Sequence, residues 1–175
     1  MSEVRTPEPW LRGTLMDVVA VPRAVLHALE LAQEDIARWC GHLTDAELNA
    51  RPEGLAPVAF HIRHIARSID RLVSYAEGKQ LSDEQIAALK TELDGNATRD
   101  ELFAELEAAL ERGAMRIRRF VPDRLQEPRQ VGAKRLPTTV GGLLVHVADH
   151  TQRHVGQAIT TSKIVIARRG GLETF

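Results

Sequence analysis

The stretch Val145–Gln157, VHVADHTQRHVGQ, sets His146, His150 and His154 at successive intervals of four residues. At about 3.6 residues per helical turn, that spacing stacks the three on one face of an α-helix. Leu143, Val147 and Ala158 fall beside them, so the segment reads as a helix with one buried side. It is expected to start near Thr138 or Thr139 and run to about Ala167, with Gly170-Gly171 as its stop and residues 168–175 as a flexible tail. Two imidazoles one turn apart can chelate a single divalent ion, the arrangement used by H-E-x-x-H sequences. Val147 and Thr151 stand where that motif has its glutamate, which excludes the peptidase version of the site.

Working outward, a second pair, His61 and His64, lies in another helical pattern from about Pro57 to Ala76. Its apolar stripe is Val58, Ile62, Ile65, Ile69, Leu72 and Ala76. Earlier, Pro22 to Cys40 reads as a long helix stopped by Gly41. Thr44-x-x-Glu47, Ser82-x-x-Gln85 and Thr98-x-x-Glu101 read as capping boxes. They open a short helix ending at Arg51-Pro52, a helix to about Leu93, and a long one to about Phe120. The last carries Leu102, Phe103, Leu106, Leu110, Met115 and Ile117 as its stripe, with Gly113 as a weak point. Residues 1–12, with Pro7 and Pro9, form an extended N-terminal segment. Residues 121–137 form a long connection with Arg124, Arg129, Lys134 and Arg135, read as a solvated loop or a lid. The row Arg63, Arg67, Arg71 reads as an exposed helix face. The whole is expected to be all-α, a single-domain four-helix bundle with long crossover connections.

Composition agrees. Of 175 residues, 43% are hydrophobic, enough for a packed core, and only 4% are aromatic, which favours helices over sheets. A formal net charge of −1 argues against a nucleic-acid surface. No apolar run reaches membrane-spanning length and the start lacks a signal peptide's apolar stretch, so a cytoplasmic protein without a membrane partner is expected. The single cysteine, Cys40, precludes an internal disulfide and reads as a buried small hydrophobe rather than a nucleophile. By pattern alone, the histidine face fits either a metal site or a polar stripe in solvent.

Val145–Gln157, together with Phe60–Ala66 (FHIRHIA) and the order of helices, resembles the DinB-like superfamily over roughly residues 20 to 165. The resemblance implies a metal held by His64, His150 and His154, with His61, His146 and Gln157 as supporting residues. By helical position alone, His61 lies nearer the apolar stripe than His64 and is the reserve ligand. Many family members have an arginine where this chain has Val155, which puts that arginine's role toward an anionic substrate in doubt. Gly156 is read as admitting a neighbouring helix. The metal would be Zn, Ni or Fe, since imidazole suits all three. The resemblance further implies a thiol-dependent S-transferase or isomerase acting on a small-molecule substrate, with a low-molecular-weight thiol such as bacillithiol, mycothiol or glutathione, and a homodimer. A metal-dependent hydrolase, a non-catalytic metal-stabilised module and a plain bundle without metal remain the alternatives.

Overall fold

The three capping boxes form as the sequence predicts. Thr44, Ser82 and Thr98 each accept a hydrogen bond from the amide three residues on, and Glu47, Gln85 and Glu101 reach back to the cap's own backbone N–H. In this computed structural model, which describes residues 6–169, they open α2 (Asp45–Leu48), α4 (Asp83–Lys90) and α5 (Arg99–Ile117). The other helices are α1 (Ala20–Cys40), α3 (Val58–Ala76) and α6 (Val140–Arg169). Gly170-Gly171 and the tail beyond lie outside the described residues, as do residues 1–5. Arg168 and Arg169, expected in the tail, are the last turn of α6.

α1 and α3 each pack against both α5 and α6, closing a four-sided ring with α1 diagonal to α3 and α5 diagonal to α6. The links α1 to α3 and α5 to α6 therefore cross the bundle, which accounts for their length. Ile36, Ile62, Ile65, Ile69, Leu102, Ile117 and Leu144 are enclosed in the core. Two expectations for α5 change. Its buried stripe steps through Leu102, Leu106, Leu110, Gly113 and Ile117 by threes and fours, and Met115 falls off it at 52% exposure. Gly113 is a contact point: a Cβ there would sit 2.6 Å from Ile69 Cγ2, so its hydrogen lets α3 and α5 approach closely.

The 121–137 connection is ordered. After a single 3₁₀ turn at Pro122–Arg124, β1 (Pro128–Val131) pairs antiparallel with β2 (Leu136–Thr139), Pro128 opposite Thr139. Prolines suit this two-stranded edge, where a missing N–H costs little. Gly132 and Arg135 turn the chain at positive φ, 70° and 49°. β2 runs straight into α6, and Arg129 Nε donates to Ala76 O at 2.8 Å, fastening the hairpin to the C-terminus of α3. That end lies about 18 Å along α3 from His64, at about 1.5 Å per residue, so the hairpin does not lid the histidines. The N-terminal segment is likewise held: Pro9–Leu11 make one 3₁₀ turn and Arg12 pairs with Glu34 of α1 at 2.6 Å.

Candidate metal centre

α3 and α6 lie side by side and bring four imidazoles together. His64, His150 and His154 each offer a ring nitrogen, and the three nitrogens lie within 4.8 Å of one another. His64 Nε2 is 3.3 Å from His150 Nε2. Two nitrogens each about 2.0–2.1 Å from one tetrahedral zinc are about 3.3–3.4 Å apart, so the spacing already fits a shared ion.

Two of the three rings are held from behind. His64 Nδ1 meets Glu92 Oε2 at 2.6 Å, while Arg71 Nη1 donates to Glu92 Oε1, also at 2.6 Å. His154 Nδ1 is 3.0 Å from Nδ1 of His61. Those contacts leave Nε2 of His64 and of His154 for the centre. His150 Nδ1 is buried and has no hydrogen-bond partner. Phe60 stacks on His64 with its ring centroid 5.2 Å away and closes one side.

Burial, reinforced by the neighbouring cations and imidazoles, pushes His150 and His154 down from 6.5 to about 4, and His61 equally. These rings are therefore neutral near pH 7. His64 Nδ1 faces the Glu92 carboxylate and is the donor there, which turns Nε2 toward the other rings. Ring nitrogens converging on one point suit a cation, and three imidazoles are a donor set that a divalent transition metal takes. Burial raises the Glu92 carboxyl, but the hydrogen bonds from His64 and Arg71 outweigh it and leave the group below its usual range.

The supporting residues divide. His61, 5% exposed, sits behind His154. His146 stands one turn out on α6, half exposed, 4.0 Å from Asp149. Gln157 is exposed and lines a cavity beside His61. Gly156 has nothing within 4 Å of where a Cβ would stand, so it admits no neighbouring helix. Val155 is buried in the core. Cys40 is fully buried, and desolvation pushes its thiol up to about 12, in keeping with a packing role.

Glu92 is the residue the sequence reading missed. The arginine row delivers it. Arg63 Nη1 donates to Asp94 O (2.8 Å), Arg67 Nη1 to Ala88 O (2.6 Å), and Arg71 to Glu92 itself. Rather than an exposed face, the row is a clamp that lays residues 88–94 along α3, with Arg71 buried.

A family model described as DinB superfamily matches residues 28–158. No curated protein matches the chain. Among solved structures, the chain is similar to a crystal structure described as the conserved protein of locus from Enterococcus faecalis. The TM-score is 0.66 at 24% identity, covering 85% of this chain and 99% of that one, a likeness of fold. With the matched span holding α3, α5, most of α6 and all the clustered histidines, the chain belongs to the DinB superfamily.

Proposed function

We propose that the chain is a metal-dependent enzyme in which His64, His150 and His154 hold one divalent ion and leave coordination positions for a thiol or water. The supporting observation is the convergence of three imidazoles with no fourth protein donor in the group among the described residues. A closed structural site takes four ligands, whereas a catalytic one keeps a position open. His146 and Asp149, the neighbours able to close it, point elsewhere: Asp149 pairs with Arg153 at 2.5 Å and His146 lies 45% exposed. His61 approaches the non-ligating side of His154.

Bound there, the cation lowers the pKa of a coordinated thiol or water and so supplies a nucleophile at neutral pH. The residues of the chain fix its surroundings. Glu92 holds His64 in the tautomer with Nδ1 protonated, and His61 accepts the corresponding proton of His154. Phe60 keeps water from one side. A thiol-dependent S-transfer or isomerisation is the reading the family suggests, with Zn, Ni or Fe as the ion. The small-molecule substrate and the homodimer belong to the same proposal, the latter checked by light scattering after size-exclusion chromatography.

The test is elemental analysis of untagged protein, followed by incubation with bacillithiol, mycothiol or glutathione and an electrophilic acceptor. We expect one divalent ion per chain, lost in His150→Ala and His154→Ala, and thiol consumption that needs it. A wild-type chain without a stoichiometric ion, or a His150→Ala chain that keeps it, overturns the proposal. Consumption of water rather than thiol would favour the hydrolase.

A further inference from the structure

We infer that the cavity beside His61 is a binding site for a small amphipathic anion, an organic carboxylate with an apolar body. The cavity has a volume of about 450 Å³ and lies where Leu55, just before α3, and Phe60, in its first turn, face Arg153, Gly156 and Gln157 of α6. Its lining carries a cation, Arg153, and no carboxylate among the described residues. Other hollows offer a poorer match. The one among α3, α4 and α5 sets Asp70, Glu84 and Glu105 among its arginines, and the one between α1 and α5 sets Glu30, Glu107 and Glu111 beside Arg118. The one at the hairpin has Arg129 and Arg135 and no carboxylate, but Arg129 is already held by Ala76 O and Glu127, and no Leu, Ile, Val or Phe side chain lines it.

Arg153 is held by Asp149 one turn back, but both side chains are more than half exposed, at 54% and 55%. Such a pair is weak, and the guanidinium keeps further N–H groups to offer an incoming carboxylate. Leu55 and Phe60 supply the apolar wall, and the Gln157 amide lies beside the cation.

Gly156 is the second observation. It stands inside a helix of 30 residues, where glycine is the poorest choice after proline. Its φ is not in the left-handed region, and no packing contact demands it, in contrast to Gly113. What the missing side chain does is leave the cavity floor open. His61 forms the wall toward the histidine cluster, so an occupant lies one imidazole away from His154. As a binding site the cavity stands without a metal; that its occupant is the substrate rests on the metal-dependent reading.

The experiment titrates the full chain, stripped of metal, with octanoate, using calorimetry and amide chemical shifts, with 1-octanol as the uncharged match. We expect one saturable site with shifts centred on Phe60, Arg153 and Gln157. Arg153→Gln should weaken octanoate about ten-fold and leave octanol unchanged. Gly156→Leu should abolish both, and Gly156→Ala should raise the melting temperature while weakening octanoate. Failure of wild type to saturate, equal binding of octanol and octanoate, or undiminished binding to Gly156→Leu each overturns the inference. Binding only to the metal-loaded chain means that the anion ligates the ion; the cavity inference then falls and the metal reading survives. Binding to a chain that takes no divalent ion at all does the reverse.

Discussion

Glu92 accepts from His64 through one carboxylate oxygen and from Arg71 through the other, so its replacement has two separable effects. Glu92→Gln should weaken divalent-ion affinity about 10–100-fold, the usual effect of losing a carboxylate behind a ligating histidine. It should also lower stability, because Arg71 stays buried without its counter-charge. Competition with a chromophoric chelator reads the first effect, and the urea midpoint of the metal-free chain reads the second. An unchanged affinity in a destabilised variant would reduce Glu92 to a packing role. The four histidines were legible in the sequence because helical spacing alone puts each pair on one face. Glu92 was not. It lies in the turn after α4, where no periodicity marks a buried side, and its burial at 4% exposure depends on three arginines from another helix.

Between helices, Gly113 and Glu77 set how α3 meets α5. Gly113→Ala puts a methyl group 2.6 Å from Ile69 Cγ2 and should cost about 1–3 kcal/mol despite alanine's better helix propensity. Chemical denaturation checks it, and a gain in stability would contradict the close approach. Glu77, at the end of α3, receives Arg116 of α5 at 2.8 Å, which, against some burial, lowers its carboxyl from 4.5 to about 2 with help from Lys79. A depressed carboxylate contributes its full stability above its unfolded pKa and loses it as pH falls toward the folded value. The urea midpoint should therefore drop between about pH 4.5 and pH 2, and less steeply in Glu77→Gln. Equal slopes would mean that the pair contributes nothing. The capping boxes and long helices could be read directly, since a cap is a local affair of four residues. The hairpin could not: β1 and β2 are four residues each, interrupted by prolines, and have no alternating apolar pattern to announce them.

For the molecule as a whole, an ion bound only by the folded chain must stabilise it. At a free ion concentration of about 100 times Kd the gain is about 2.7 kcal/mol, and melting curves with and without zinc or nickel should show it. A melting temperature indifferent to both ions, and to iron(II) under anaerobic conditions, would count against the site. The ring of four helices was legible as a bundle because each long helix carries one apolar stripe. The order around the ring was not, since stripes do not say which neighbour they meet.

β2 enters α6 without a spacer, and Arg129 ties the same hairpin to the end of α3. The hairpin is thus a brace across one end of the two helices that carry the imidazoles. From Val140 to His150 is about 15 Å of continuous helix, stiff enough to carry a tilt from the brace to the donors. The relative tilt of these two helices, and with it the spacing of the histidines, is therefore anchored from a surface ribbon at the far end of α3.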